Sequence, residues 1–328
     1  MTGALPEAKA LFEKGLGITR KLAQANPTSA MAKHDLSVSL AKLGSVAEQV
    51  GALPEAKALF EEGLGIRRKL AQANPTSAEA QRSLSANLNQ LGSVAEQAGA
   101  LSEAKALFEE GVGITRKLAQ ANLTSATAQR DLSISLNKLG EVEMRAGALP
   151  EAKTWFEEGL GIRRKLAQAN PTSAEGQRDL SVSLNKLGEV AMQTGDYKDA
   201  KARFKECLDI ARKLAQSNPT SARVQFDLVV CEERLGEVAA QMGDLKDAKA
   251  RFEVSLGIVR KLAQANPTSA RVQFDLFDSL FRAGRSTRDR KLLREALDII
   301  RELERTGRLA PSGRPFLQHL PKFIESLP

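Results

Sequence analysis

Asn89, Asn137 and Asn185 recur at 48-residue intervals, and each side chain offers one hydrogen-bond acceptor and two donors. A row of such amides on one surface can satisfy the backbone of an extended peptide without reading its side chains. Lys42, Lys138, Lys186, Arg234 and Arg282 form the adjacent column, which could hold a carboxylate or be a solvated charged flank. Phe226 and Phe274 stand where earlier copies carry Arg82, Arg130 and Arg178, and the asparagine column ends in Glu233 and Phe281. Phenylalanines placed in this way would mark an apolar pocket, unless the chain's own tail covers them. The amide row also has a bland reading, as solvated residues copied by duplication.

Catalytic chemistry finds little support. The histidines are His34 and His319, and neither belongs to a recurrent Cys, Asp or Glu set at metal-ligand spacing. No glycine-rich phosphate loop exists, so a noncatalytic protein without cofactor or metal is expected. Cys207 and Cys231 have no CxxC spacing and cannot build a disulfide framework; they read as small buried residues in a reducing compartment. The first residues lack the apolar core of a signal peptide, and no later run approaches the roughly 18 to 20 apolar residues of a membrane span. A cytoplasmic protein with no membrane partner is the expectation.

These side chains are positioned by a repeat. Six near-copies begin at Gly3, Gly51, Gly99, Gly147, Gly195 and Gly243, and RKLAQANPTSA recurs within them almost letter for letter. A fixed period marks a solenoid, whose units bury their apolar faces only by stacking on neighbours. Each copy resolves into two helices. Thr172, with Glu175 three residues on, offers an N-cap and capping box, as do Thr76 and Glu79. Leu180, Leu184, Leu187 and Ala191 then form one apolar stripe, which ends at Gly195. The second helix opens on a proline at Pro6, Pro54 and Pro150, carries Ala56, Phe60, Gly63 and Leu64 on one face, and stops at Asn74 and Pro75. Gly63 suggests close approach of two helices, whereas Gly65, also mid-helix, has no evident reason. No segment alternates with period two, so the fold class is all-α.

Residues 184–210 resemble a tetratricopeptide repeat through Leu184, Leu187, Gly188, Tyr197, Ala200 and Phe204, and Leu88, Leu91, Gly92, Leu101, Ala104 and Phe108 repeat the pattern. The family's first-helix Trp and Tyr are here Leu and Ala, and its closing proline is delayed to Pro75, Pro171 and Pro219. The period is thereby lengthened, as in long-repeat arrays such as kinesin light chains and bacterial sensors. The resemblance implies a right-handed helical-repeat solenoid of antiparallel helix pairs over residues 3–284. It also implies a concave face lined by first helices. On that face the helical wheel sets Val182, Asn185 and Glu189 opposite the leucine stripe, and an asparagine ladder in such families grips peptide backbone.

Residues 285–328 depart from the repeat and read as capping helices, with Leu293, Leu297 and Ile300 on one face. From Arg282 onward 11 Lys and Arg face 6 Asp and Glu, which is +5 of the chain's +8, so the array itself is near neutral. The expected function is a protein-interaction scaffold or adaptor that binds a peptide segment or helix on the concave face. Two alternatives are a nucleic-acid-binding repeat acting through the basic tail and a sensor module cut from a larger enzyme. Scarce aromatics and interleaved charges argue against nucleic acid. The array starts on a second helix, which leaves an unpaired surface for a missing segment, a partner or self-association.

Overall fold

The computed structural model describes residues 4–327, in which fourteen α-helices and one short 3-10 turn occur and no strand is found. Gly3, the expected start of the first copy, lies outside the described residues. The chain divides into two compact units, Met1–Ala169 and Asn170–Pro328. The first unit holds α1 (Ala4–Ala25) and three hairpins: α2 (Ala30–Gln49) with α3 (Leu53–Ala73), α4 (Ala78–Gln97) with α5 (Leu101–Ala121), and α6 (Ala126–Arg145) with α7 (Leu149–Ala169). The second unit holds α8 (Ala174–Gln193) with α9 (Tyr197–Ser217), and α10 (Ala222–Gln241) with α11 (Leu245–Ala265). It ends with α12 (Ala270–Thr287), α13 (Arg290–Arg305) and α14 (Arg314–Ser326). The last first helix thus runs three residues past the expected boundary at 284. No described helix is long and apolar enough to cross a membrane.

Each first helix starts at a serine rather than at the expected threonine. Ser77 and Ser173 adopt extended backbone and accept from the N–H groups of Ala80 and Gly176. Thr172 instead donates to Asn170 Oδ1 at 3.1 Å within the turn. Glu79 and Glu175 therefore fall one position too early for a capping box, and their charge favours the helix end. At the far end, Gly99 takes φ +81°, and the next residue, Ala100, donates its N–H to Ala95 O at 2.9 Å. This left-handed closure turns the chain sharply into the second helix.

One contact recurs in every hairpin. Phe108 is fully buried, and a Cβ added to Gly92 would lie 2.5 Å from its ring. Gly44 with Phe60 and Gly140 with Phe156 repeat the arrangement in the first unit, and Gly236 with Phe252 in the second. Glycine lets the first helix lie directly on the aromatic ring, so this pair sets the spacing of the hairpin. In the last pair Leu293 of α13 meets Gly284 in the same way, at 2.7 Å. Leu293, Ala296, Leu297, Ile300 and Leu303 are all buried, so α13 closes the core of the second unit.

Candidate functional site

In the first unit, α4 and α6 flank an open groove of about 420 Å³. Ala86 and the exposed Ile134 supply its apolar surface. Asn89 and Ser135 lie beside them, joined by a bond from Asn89 Nδ2 to Ser135 Oγ at 3.1 Å. Arg82 Nε and Asp131 Oδ2, 2.5 Å apart, pair along the edge. Asn89 Oδ1 is buried and has no donor, because it lies over the bare α-carbon of Gly111, 3.2 Å from where a Cβ would stand.

Asn137 does not point to open space as the wheel suggests. It is buried, and its Oδ1 accepts from both terminal nitrogens of Arg163, at 3.0 and 3.2 Å. The wheel fixes an angle around the helix but not depth; Gly159, lacking a side chain, lets this amide sink to the second helix, where Arg163 holds it. In the second unit Asn185 is half-buried, with an Oδ1 that also lacks a donor. Gly63, Gly111 and Gly159 are explained together: each leaves space for a first-helix amide, Asn87, Asn89 or Asn137. Gly65 meets nothing within 4 Å, and the structure gives no reason for it.

From Lys138 onward the cation column is already engaged. Lys138 pairs with Glu141 at 3.4 Å and Lys186 with Glu189 at 3.6 Å. Arg234 bridges Glu189 and Glu237, and Arg282 contacts Asp278 at 2.7 Å and Glu237 at 3.1 Å. Lys42 is exposed. A column with its own carboxylates is a charge ladder, so it is not a row of vacant cations awaiting a ligand's carboxylate.

The phenylalanines divide. Phe226 on α10 is exposed. Phe274 and Phe281, for which the sequence left a pocket or cover by the tail as the two readings, are part-buried and packed against the tail. Phe316 of α14 stands edge-on to Phe277 and Phe281 at 5.0 and 5.3 Å, and Gly313 closes over Phe274. Apolar rings at the end of an array need a partner, and α14 is the nearest one.

Several interior groups were not expected. Glu233 is buried, and burial pushes its carboxyl up to about 7 against the opposing pull of Ser279 and Arg282. Arg67 is also buried, at the base of a cleft with Met31 and His34; it donates to Ser37 Oγ at 3.3 Å and Ser83 O at 2.9 Å. Its pKa falls because burial disfavours the charge. A sequence signal existed here: Thr19, Arg67, Thr115 and Arg163 alternate at one repeat position, as ordinary surface arginines have no cause to do. On α1, Leu11, Ile18 and Leu22 are exposed.

Residues 133–171 and 180–219 match the tetratricopeptide repeat family. No curated protein matches the chain. Among solved structures, BtubC from P. vanneervenii is similar, with TM-score 0.61 and 18% identity over 80% of this chain and 93% of that one. A Podosopora anserina protein described as a kinesin light chain, with nearly identical TPR-like repeats, gives TM-score 0.52 and 20% identity over 69% and 95%. A Rap protein complexed with Competence and Sporulation Factor gives TM-score 0.51 and 13% identity over 90% and 77%. The fold of these proteins is that of stacked helix hairpins. The family match covers two successive copies of a unit that recurs along the sequence, and within residues 133–219 those copies are tetratricopeptide repeats.

Proposed function

We propose that the chain is a noncatalytic, cytoplasmic protein-interaction module that takes a peptide segment or a helix between successive first helices. The groove between α4 and α6 carries this reading. It sets exposed Ile134 and Ala86 beside the amide of Asn89 and the hydroxyl of Ser135, with an ion pair along the edge. Apolar surface with a few fixed polar groups suits a peptide, which gains from burial and is oriented by hydrogen bonds. In the second unit the exposed apolar side chains Val182 and Phe226 and the amide of Asn185 would serve in the same way. Asn137 would act from beneath, by holding Arg163 in place. The paired state of Lys138, Lys186 and Arg234 favours a peptide over a nucleic acid, whose binding needs cations free to meet phosphate. The Rap protein complexed with Competence and Sporulation Factor gives a similarly folded chain with a bound partner.

The test is selection of peptides by display against the full chain, followed by titration with Ile134→Glu. A carboxylate on the apolar surface should weaken a selected peptide by about ten-fold or more, or roughly 1.4 kcal/mol, with the circular dichroism unchanged. Equal affinity for both proteins would move the site off this groove.

A further inference from the structure

The two cysteines of the chain lie side by side. Cys207 on α9 and Cys231 on α10 are both buried, with their Sγ atoms 2.6 Å apart. A disulfide bond spans about 2.05 Å, so a small closing motion would join them. Their places in the repeat make the meeting notable. Cys207 occupies the second-helix position held by Gly63, Gly111 and Gly159 in earlier copies and by Ser255 in the next. Cys231 occupies the facing first-helix position, held elsewhere by Asn87, Ser135, Ser183 and Ser279. In six near-copies, the only two cysteines have thus arisen on opposite sides of one contact.

We propose that Cys207 and Cys231 are a covalent modification site, closing to a reversible disulfide with a peroxide or a small disulfide as the oxidant. With peroxide, the Cys207 sulfur attacks one oxygen; the S–O bond forms, the O–O bond breaks, and the departing hydroxide takes a proton to leave as water. The Cys231 thiol then attacks the Cys207 sulfenic acid, forming the S–S bond, breaking the S–O bond and releasing the second water. Two thiols are oxidised by two electrons, and one peroxide becomes two waters. The roles follow from the contacts. The contact between the two sulfurs lowers the Cys207 pKa and raises that of Cys231. Ser181 Oγ, 2.9 Å from Cys207 Sγ, adds to the stabilisation of its thiolate, while Asp227 and Glu206 oppose it. Cys207 is therefore the attacking sulfur and Cys231 the resolving one.

Both sulfurs are shielded, so oxidant enters through local opening of the α9–α10 contact, and the finished bond is equally shielded from reductant. The bond closes a loop of 24 residues and ties a second helix to the next first helix. Phe226, at the start of α10, lies inside that loop.

The experiment uses the full chain, treated with hydrogen peroxide or refolded from urea in a mixture of reduced and oxidised glutathione. Loss of two hydrogen atoms in the intact mass is expected, with a peptide linking Cys207 to Cys231. Titratable thiols under denaturant should fall from two to none, and the melting temperature should rise by several degrees. Cys207→Ser and Cys231→Ser should show neither the cross-link nor the rise, and Cys231→Ser should accumulate sulfenic acid at Cys207. Two thiols still titratable after both treatments, or oxidation beyond sulfenic acid without a cross-link, would overturn the proposal.

Discussion

The two units are built on the same hairpin and differ in the contact between second helices and the first helices beside them. In the first unit Gly63, Gly111 and Gly159 admit neutral amides, and where charge enters, at Arg67 and Arg163, it is met by serine hydroxyls, a backbone carbonyl or an amide. In the second unit the same second-helix positions carry Cys207 and Ser255, and the asparagine column passes through Asn185 to the buried acid Glu233. The Gly–Phe contact holds in both units. The scaffold thus depends on one apolar contact, while the neighbouring polar column is free to change and gives each unit its own interior chemistry.

The largest expected effect separates the units by charge. The carboxyl of Glu233 is held near 7 in the folded chain against an ordinary 4.5, so folding favours its protonated form. Stability conferred by the neutral acid is full below about pH 4.5 and is lost as pH rises through 7, where the buried group must ionise. Glu233→Gln should therefore leave stability unchanged near pH 4.5 and raise it by up to roughly 3 kcal/mol above pH 7.5. Urea unfolding at the two pH values reads this directly. A gain that does not depend on pH would show that burial does not hold this carboxyl protonated in the folded chain.

A smaller effect tests what the units share. In Gly92→Ala the new methyl would meet the fully buried ring of Phe108, which has no room to retreat. Overpacking should cost about 1–3 kcal/mol even after the gain in helix propensity, and Gly236→Ala, where the contact is 3.0 Å, should cost less. If both substitutions are neutral, the Gly–Phe contact does not set the hairpin spacing. The smallest change has the opposite sign. A Cβ on Gly113 meets nothing within 4 Å, so Gly113→Ala should stabilise the chain by roughly 0.5–1 kcal/mol in the same assay. Destabilisation there would reveal a role for this glycine that its surroundings do not suggest.

Much of the scaffold was legible because it is local. Pro54 at the start of α3, Gly195 after α8 and Asn74 after α3 fall where the repeat predicts, since capping and stopping depend on a few adjacent residues. The cap falls one residue later, on serine, because threonine and serine are both good caps and the Asn-Pro-Thr turn decides between them. The candidate site was legible in outline only. Asn89 lines the groove between α4 and α6, but Asn137 is drawn inward to Arg163, and Phe281 is packed under a ring from 35 residues away.

The sequence alone therefore determined the period, the two helices of each copy and the residues available to each face, because a 3.6-residue stripe and a capping residue act over a single turn or two. Tertiary structure decided which polar groups are buried and which neighbours they meet. Depth depends on whether the facing helix presents glycine or a larger side chain, and on which distant segment returns to cover an end. For that reason the meeting of Cys207 with Cys231, the burial of Glu233 and the covering of Phe274 by Gly313 emerge only when the helices are stacked.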